Sequence, residues 1–252
     1  MSYFAVENLS LRFGGLHAVR NLSFSVEQGE VFAIIGPNGA GKTSVFNIIT
    51  RVFTPTSGRV TLRDQDITAL PRHRIVERGI ARTFQNIELF ESATVLDNLL
   101  LGRHRFDHGS VLAQVVWMPS VRRAEDASRA KAEDIIDLLD LSPHRNSPVA
   151  SLSYGIRKMV ELARALASEP ELLLLDEPAS GLNPEETRDL AHVLDDIKND
   201  LGITVIMVEH DMSLVAEVAD RVMCMNMGEQ LAIGPVAEVR SHPDVVAAYL
   251  GT

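Results

Sequence analysis

Gly36-Pro37-Asn38-Gly39-Ala40-Gly41-Lys42-Thr43 fits G-x-x-x-x-G-K-[ST], the phosphate-binding P-loop pattern. The run follows Val31 to Ile35, an apolar stretch that reads as a buried strand. It leads into Thr43 to Thr50, which reads as a helix. The glycines let the backbone wrap so that its N–H groups converge on one anion. A helix N-terminus adds partial positive charge. Lys42 can reach β- and γ-phosphates, and the Thr43 hydroxyl can ligate Mg²⁺. A glycine-rich turn alone implies little; the Lys-Thr pair behind it and the strand in front point to a nucleoside triphosphate. GTPases, kinases, helicases and transport ATPases share the pattern, so other motifs must choose among them.

Composition narrows the field. The 252 residues are 46% hydrophobic and 23% charged, which suits one large globular domain or a core with a subdomain. A formal net charge of −10 disfavours nucleic acid as a partner. The single cysteine, Cys224, excludes a disulfide framework and fits a reducing cytosol. It lies in the apolar run Val222 to Met225 and reads as core. Met1 to Ser10 lacks the basic start and apolar stretch of a signal peptide. No apolar run approaches the roughly 20 residues of a membrane-spanning helix. The expectation is a soluble protein that could serve a membrane only from the cytosolic side.

The first third alternates strand-like runs, Phe4 to Leu9, Leu22 to Val26, Val31 to Ile35 and Val60 to Leu62, with glycine-marked turns. From Thr94 to Leu141 the apolar spacing turns helical, as in Ala132, Ile135, Ile136, Leu138 and Leu139, and predicts a helical insertion. Trp117 reads as its packing anchor. After it come a helix over Tyr154 to Ser168, a buried strand over Glu171 to Leu175 and another over Thr204 to Val208. Asn183-Pro184-Glu185-Glu186 supplies an N-cap, a proline at the first helical position and acids in the first turn. Arg221 to Met225 and Gln230 to Ile233 read as a hairpin through Asn226-Met227-Gly228.

Leu172-Leu173-Leu174-Leu175-Asp176-Glu177 is an apolar strand ending in two acids. Ligands of parallel sheets bind outside the carboxyl ends of strands, where an Asp can hold Mg²⁺ and a Glu can polarise water as general base. Upstream, Leu152-Ser153-Tyr154-Gly155 opens a helix, where a Ser hydroxyl and free N–H groups form an anion site as readily as an ordinary cap. The order of these motifs resembles the ATP-binding-cassette (ABC) family, whose signature is Leu-Ser-Gly-Gly-Gln before this helix. Two positions depart from it. Tyr154 stands where Gly is commonest, and Ile156 stands where Gln is usual and brings no polar contact.

That resemblance covers essentially the whole chain and implies the following. The fold is α/β: a P-loop NTPase (RecA-like) core with an antiparallel β subdomain and an inserted helical subdomain. Residues 1–252 form a single nucleotide-binding domain, with core and β subdomain over 1–85 and 169–252 and the helical subdomain over 86–168. Glu177 is the general base. Gln85, in Arg82-Thr83-Phe84-Gln85, touches Mg²⁺ and the attacking water. His210, in Val208-Glu209-His210-Asp211, hydrogen-bonds the γ-phosphate. Phe13 stacks on adenine. Gly36, Pro37, Asn38, Gly39, Ala40, Gly41, Lys42, Thr43 and Ser44 hold the ATP phosphates, and Thr43, Gln85 and Asp176 serve Mg²⁺. Ser153 and Gly155 reach the γ-phosphate held by a second subunit. Ser180-Gly181-Leu182-Asn183 crosses the dimer interface.

Within that family several stretches are similar to the ATP subunits of branched-chain amino acid importers. They include Arg12-Phe13-Gly14-Gly15-Leu16, Gly181-Leu182-Asn183-Pro184-Glu185 and Ala248-Tyr249-Leu250-Gly251. Urea and amide importers and a lipopolysaccharide-export ATPase are the neighbouring readings. The implied partners are transmembrane permease subunits, a second ABC ATPase (a copy of this chain or a LivF-like cassette) and, indirectly, a periplasmic substrate-binding protein. Nucleic acid is not among them. The implied location is cytoplasmic, peripheral on the inner membrane. A GTPase would need Asn-Lys-x-Asp, which is missing. A chromosome-organising ATPase would need a long coiled coil between P-loop and signature, and this gap is far too short. A translation-factor ATPase normally carries two cassettes per chain, and a small-molecule kinase has no use for the signature.

Overall fold

The computed structural model describes residues 2–106 and 119–250. Trp117 lies outside them. The chain falls into two compact units, Met1–Gln85 with Glu171–Thr252, and Asn86–Pro170.

The first unit carries two sheets. A four-stranded antiparallel sheet has the order β2-β1-β4-β5, from β1 (Phe4–Phe13), β2 (Leu16–Val26), β4 (Ser57–Leu62) and β5 (Gln65–Asp66). A six-stranded sheet has the order β10-β9-β3-β8-β7-β6. Here β6 (Ile80–Arg82), β7 (Leu172–Asp176), β8 (Thr204–Val208), β3 (Val31–Ile35) and β9 (Arg221–Asn226) run parallel, and β10 (Glu229–Gly234) closes one edge antiparallel. Every residue of β3, β7 and β8 is buried. That is why these strands read as unbroken apolar runs rather than alternating ones: a parallel sheet is covered on both faces.

Helix α1 (Lys42–Ile49) joins the two sheets into one core. Its Phe46, Ile48 and Ile49 are buried with Phe4, Leu9 and Leu22 of the small sheet and with Ile34, Leu174, Ile206 and Met223 of the large one. The hairpin turn at Met227 and Gly228 has positive φ at both residues, the two-residue geometry whose twist matches the flanking strands. Asn183 caps α6 (Pro184–Asn199) as expected, its side chain accepting from the Glu185 and Glu186 N–H groups while Glu186 reaches back to the Asn183 N–H. Sequence periodicity gave no sign of β6, of α2 (Arg72–Glu77), of α7 (Met212–Val218), or of α8 (Val236–Ser241) and α9 (Pro243–Leu250). These pieces are too short to show a period of their own.

The second unit is helical. Thr94 and Asp97 form a capping box at the start of α3 (Val95–Gly102). In α4 (Pro119–Leu138) and just beyond it, Ala132, Ile136 and Leu139 are buried, the i, i+4, i+7 stripe legible in the sequence. Ser153 is the N-cap of α5 (Tyr154–Ala167). Among the described residues, no helix is long and apolar enough to cross a membrane.

Candidate functional site: a phosphate loop at the carboxyl ends of four parallel strands

Adjacent parallel strands deliver the candidate residues to one edge of the large sheet. β3 ends at Ile35 and feeds Gly36; β7 ends at Asp176 and feeds Glu177; β8 ends at Val208 and feeds Glu209 and His210; β6 ends at Arg82, three residues before Gln85. Register aligns them: Asp176 pairs with Val208, and Val208 with Ile34. Gly36, Pro37, Asn38, Gln85, Glu177, His210 and Tyr249 line one cleft of about 540 Å³. Phe13 is not among the lining residues. It stands at the end of β1, exposed, with its ring edge-on to Phe53 at 5.1 Å between centroids.

Two glycines of the loop are required by the fold. A Cβ on Gly36 (φ 144°) would sit 2.1 Å from the Met225 carbonyl oxygen, and one on Gly41 (φ 102°) 2.3 Å from that of Ala18. Both φ values lie where side chains rarely go. The hairpin turn braces the loop, because the Gly228 N–H donates to the Ala40 carbonyl at 3.0 Å. Lys42 is buried and donates to the carbonyls of Gly36 at 2.7 Å and Pro37 at 3.1 Å. Burial pushes its ammonium below the usual lysine range, while the carboxylates of Glu177, Asp176 and Glu209 oppose the shift. Thr43 is exposed at the start of α1, beside Ser44.

Glu177 has a left-handed backbone, φ 50°, held by its N–H donating to the Val208 carbonyl at 2.9 Å. That conformation costs a non-glycine residue about 1–2 kcal/mol, the kind of strain that collects at functional sites. The Gln85 Nε2 donates to Glu177 Oε2 at 3.0 Å, and His210 Nδ1 lies 3.9 Å from the same oxygen. A carboxylate so oriented, with an amide and an imidazole around it in a cleft beside the phosphate loop, can accept a proton from a water molecule.

Asp176 is buried, and its Oδ2 accepts from Arg82 at 2.6 Å. The other oxygen, Oδ1, is buried with no hydrogen-bond partner. A buried carboxylate oxygen left open fits a cation, so the residues present suit Mg²⁺. Among the described residues no cluster of three ligating side chains exists. Mg²⁺ does not need one, since it is usually held by one or two protein groups together with substrate phosphates.

Ser153 and Gly155 belong to the unit Asn86–Pro170. There the Ser153 hydroxyl accepts from the Ile156 N–H at 3.4 Å, so it caps α5. As a capping acceptor it still carries a hydroxyl proton to donate. Cys224 is buried as expected, and burial pushes its thiol up to about 11. Tyr249 was missed. It lines the cleft from the terminal helix; burial raises its phenol, and a hydrogen bond from the Gly36 backbone counters the rise. No local pattern around it signals that placement.

Residues 19–180 match the family model described as ABC transporter. The chain belongs to the ABC transporter family. Residues 229–252 also match a model described as branched-chain amino acid ATP-binding cassette transporter. The chain is 41% identical over 247 residues to the high-affinity branched-chain amino acid transport ATP-binding protein LivG of Salmonella typhimurium, covering 98% of this chain and 97% of that one. It is 41% identical over 246 residues to BraF of Pseudomonas aeruginosa, covering 98% and 96%. The nucleotide-free structure of an ATP-binding cassette from an ABC transporter superposes with a TM-score of 0.87 at 33% identity, each chain fully covered. A structure of a cassette in its ADP conformation gives the same figures. The protein is thus an ATP-binding, ATP-hydrolysing transporter subunit with the α/β P-loop fold of the cassette, a type of subunit that works with permeases and dimerises.

Proposed function

We propose that this chain is an ATPase subunit of an importer for branched-chain amino acids or related amino acids and amides. The observation that carries the catalytic part is Glu177, held by Gln85 at 3.0 Å and flanked by His210 at 3.9 Å, in the cleft lined by Gly36, Pro37 and Asn38. Gly36 to Ser44 cradle the triphosphate, Lys42 leaving the loop carbonyls for the β- and γ-oxygens, and Phe13 offers its exposed ring to adenine. Glu177 takes the proton of the attacking water. Gln85 orients that carboxylate, and His210 donates to the γ-phosphate. Thr43, Asp176 and Gln85 would hold Mg²⁺, which when bound would supply positive charge to the triphosphate oxygens.

Ser153 and Gly155 complete the site of a second subunit, either another copy of this chain or a LivF-like cassette. ATP then bridges two subunits, and hydrolysis removes the bridge and lets them part. That motion drives permease subunits supplied by a periplasmic binding protein, from a peripheral position on the cytoplasmic face of the inner membrane. The cargo assignment is supported by the branched-chain match of the C-terminal segment and by the names of the LivG and BraF relatives. The test is leucine uptake by an Escherichia coli strain lacking its own LivG and expressing this chain. Restored high-affinity uptake that is lost with Glu177→Gln is the expected result; growth-phase expression without any uptake refutes the cargo.

A further inference from the structure

Glu209 is completely buried and takes no part in the chemistry above. Its carboxylate accepts three backbone N–H groups: Ala179 donates to Oε1 at 2.7 Å, and His210 and Asp211 donate to Oε2 at 2.8 and 3.0 Å. A buried carboxylate is tolerated only when its oxygens are well satisfied, and these bonds are charge-assisted. The division of labour matters. One oxygen holds the segment that follows Glu177, and the other holds the loop that presents His210. Ala179 in turn accepts from the Leu182 N–H at 3.1 Å, which closes the turn containing Ser180 and Gly181 ahead of the Asn183 cap. Glu209 itself is fixed at the end of β8, its N–H donating to the Ile34 carbonyl at 3.2 Å on the strand that feeds the phosphate loop.

We propose that Glu209 is a positioning residue that locks the Ala179–Leu182 turn to the His210 loop, so that the two move as one piece. The inference rests on the interface role of Ser180 to Asn183 and the phosphate role of His210 proposed above. If the turn lies against a second subunit, its seating there sets where the imidazole stands. Hydrolysis is thereby tied to subunit contact through the Glu209 carboxylate that joins the two loops. A single oxygen would not do this, and neither would a neutral isostere. A glutamine has one acceptor oxygen and one NH₂ group, so whichever loop meets the NH₂ faces donor against donor. An aspartate is one methylene shorter and reaches one loop, not both.

The test uses the full chain carrying Glu209→Gln or Glu209→Asp, each also built on His210→Ala. Affinity for a non-hydrolysable ATP analogue should stay within about twofold, while kcat falls by about 10²-fold, the scale of a small misplacement of a catalytic group. Amide hydrogen exchange at Ala179, His210 and Asp211 should quicken. In the His210→Ala background the Glu209 change should cost almost nothing further in kcat, because its effect runs through the imidazole. An equal fall in both backgrounds overturns the inference, as does affinity falling in step with kcat. If His210→Ala alone leaves kcat intact, it is the role of His210 that fails. The exchange data then judge Glu209 by itself, and unaltered protection of Ala179 refutes the lock. Should the glutamine variant fail to fold, the aspartate variant carries the same readouts.

Discussion

Replacing Arg82 by methionine should be among the most damaging single changes in the first unit. Its guanidinium donates to Asp176 Oδ2 at 2.6 Å, to Asn47 Oδ1 at 2.8 Å and to Thr50 Oγ1 at 3.2 Å. It packs 5.5 Å from the centre of the Phe46 ring and 5.1 Å from that of Phe84. The side chains of the ion pair are only 6% and 3% exposed, so solvent screening does little to soften the loss. Arg82→Met keeps apolar packing but strands a buried carboxylate, and breaking a buried pair in this way costs about 3–5 kcal/mol. Arg82 Nε already lacks a hydrogen-bond partner in the fold, so its removal adds nothing to that figure. For a chain of this size each kcal/mol moves the midpoint by about 2–4 °C, giving a fall of roughly 6–20 °C. Thermal unfolding of the nucleotide-free protein reads it directly. Adding Asp176→Asn should recover part of the loss, because no uncompensated charge then remains. A drop below about 1 kcal/mol, or a double variant as unstable as the sum of the two singles, would refute the reasoning.

Three further outcomes are expected. Glu177→Gln should lower ATP hydrolysis by about 10²–10⁴-fold, the usual cost of losing a general base, while nucleotide still binds and an ATP-bound dimer builds up; turnover near the parent rate would remove Glu177 from that role. Lys42→Ala deletes the cation paired with the β- and γ-phosphates, so titration with a non-hydrolysable ATP analogue should show weakened binding, and unchanged affinity would place the nucleotide elsewhere. Ser153→Arg in the Glu177→Gln background should abolish ATP-dependent dimers in light scattering, whereas Ile156→Gln should leave them unchanged. Persistence of dimers with the arginine would exclude the α5 N-terminus from the interface.

The residues that announced themselves did so through local chemistry. Gly36 and Gly41 stand where a Cβ would collide with backbone, and a glycine pattern with Lys-Thr behind it encodes that need within eight positions. β3, β7 and β8 read as buried strands because both faces of a parallel sheet are covered, so no polar residue interrupts them. Asn183 and Ser153 were legible as caps because a cap is satisfied within three residues.

The chain by itself therefore determined the phosphate loop, the acid pair at the end of β7, the helix caps, the terminal hairpin and the family. What it left undecided depends on partners far apart in sequence. Arg82 next to Thr83 and Phe84 looks like a surface arginine until Asp176, 94 positions away, meets it in the interior. Glu209 reads as one more acid beside a histidine until Ala179, 30 positions earlier, donates to it. Tyr249 carries only family likeness until the terminal helix brings it to Gly36 and the cleft. Burial alone turns Arg82 and Glu209 from solvated groups into obligatory bonding partners, since a charge removed from water must find its counterpart in the fold. Which counterpart it finds is set by strand order and register, and those emerge only when the sheet assembles.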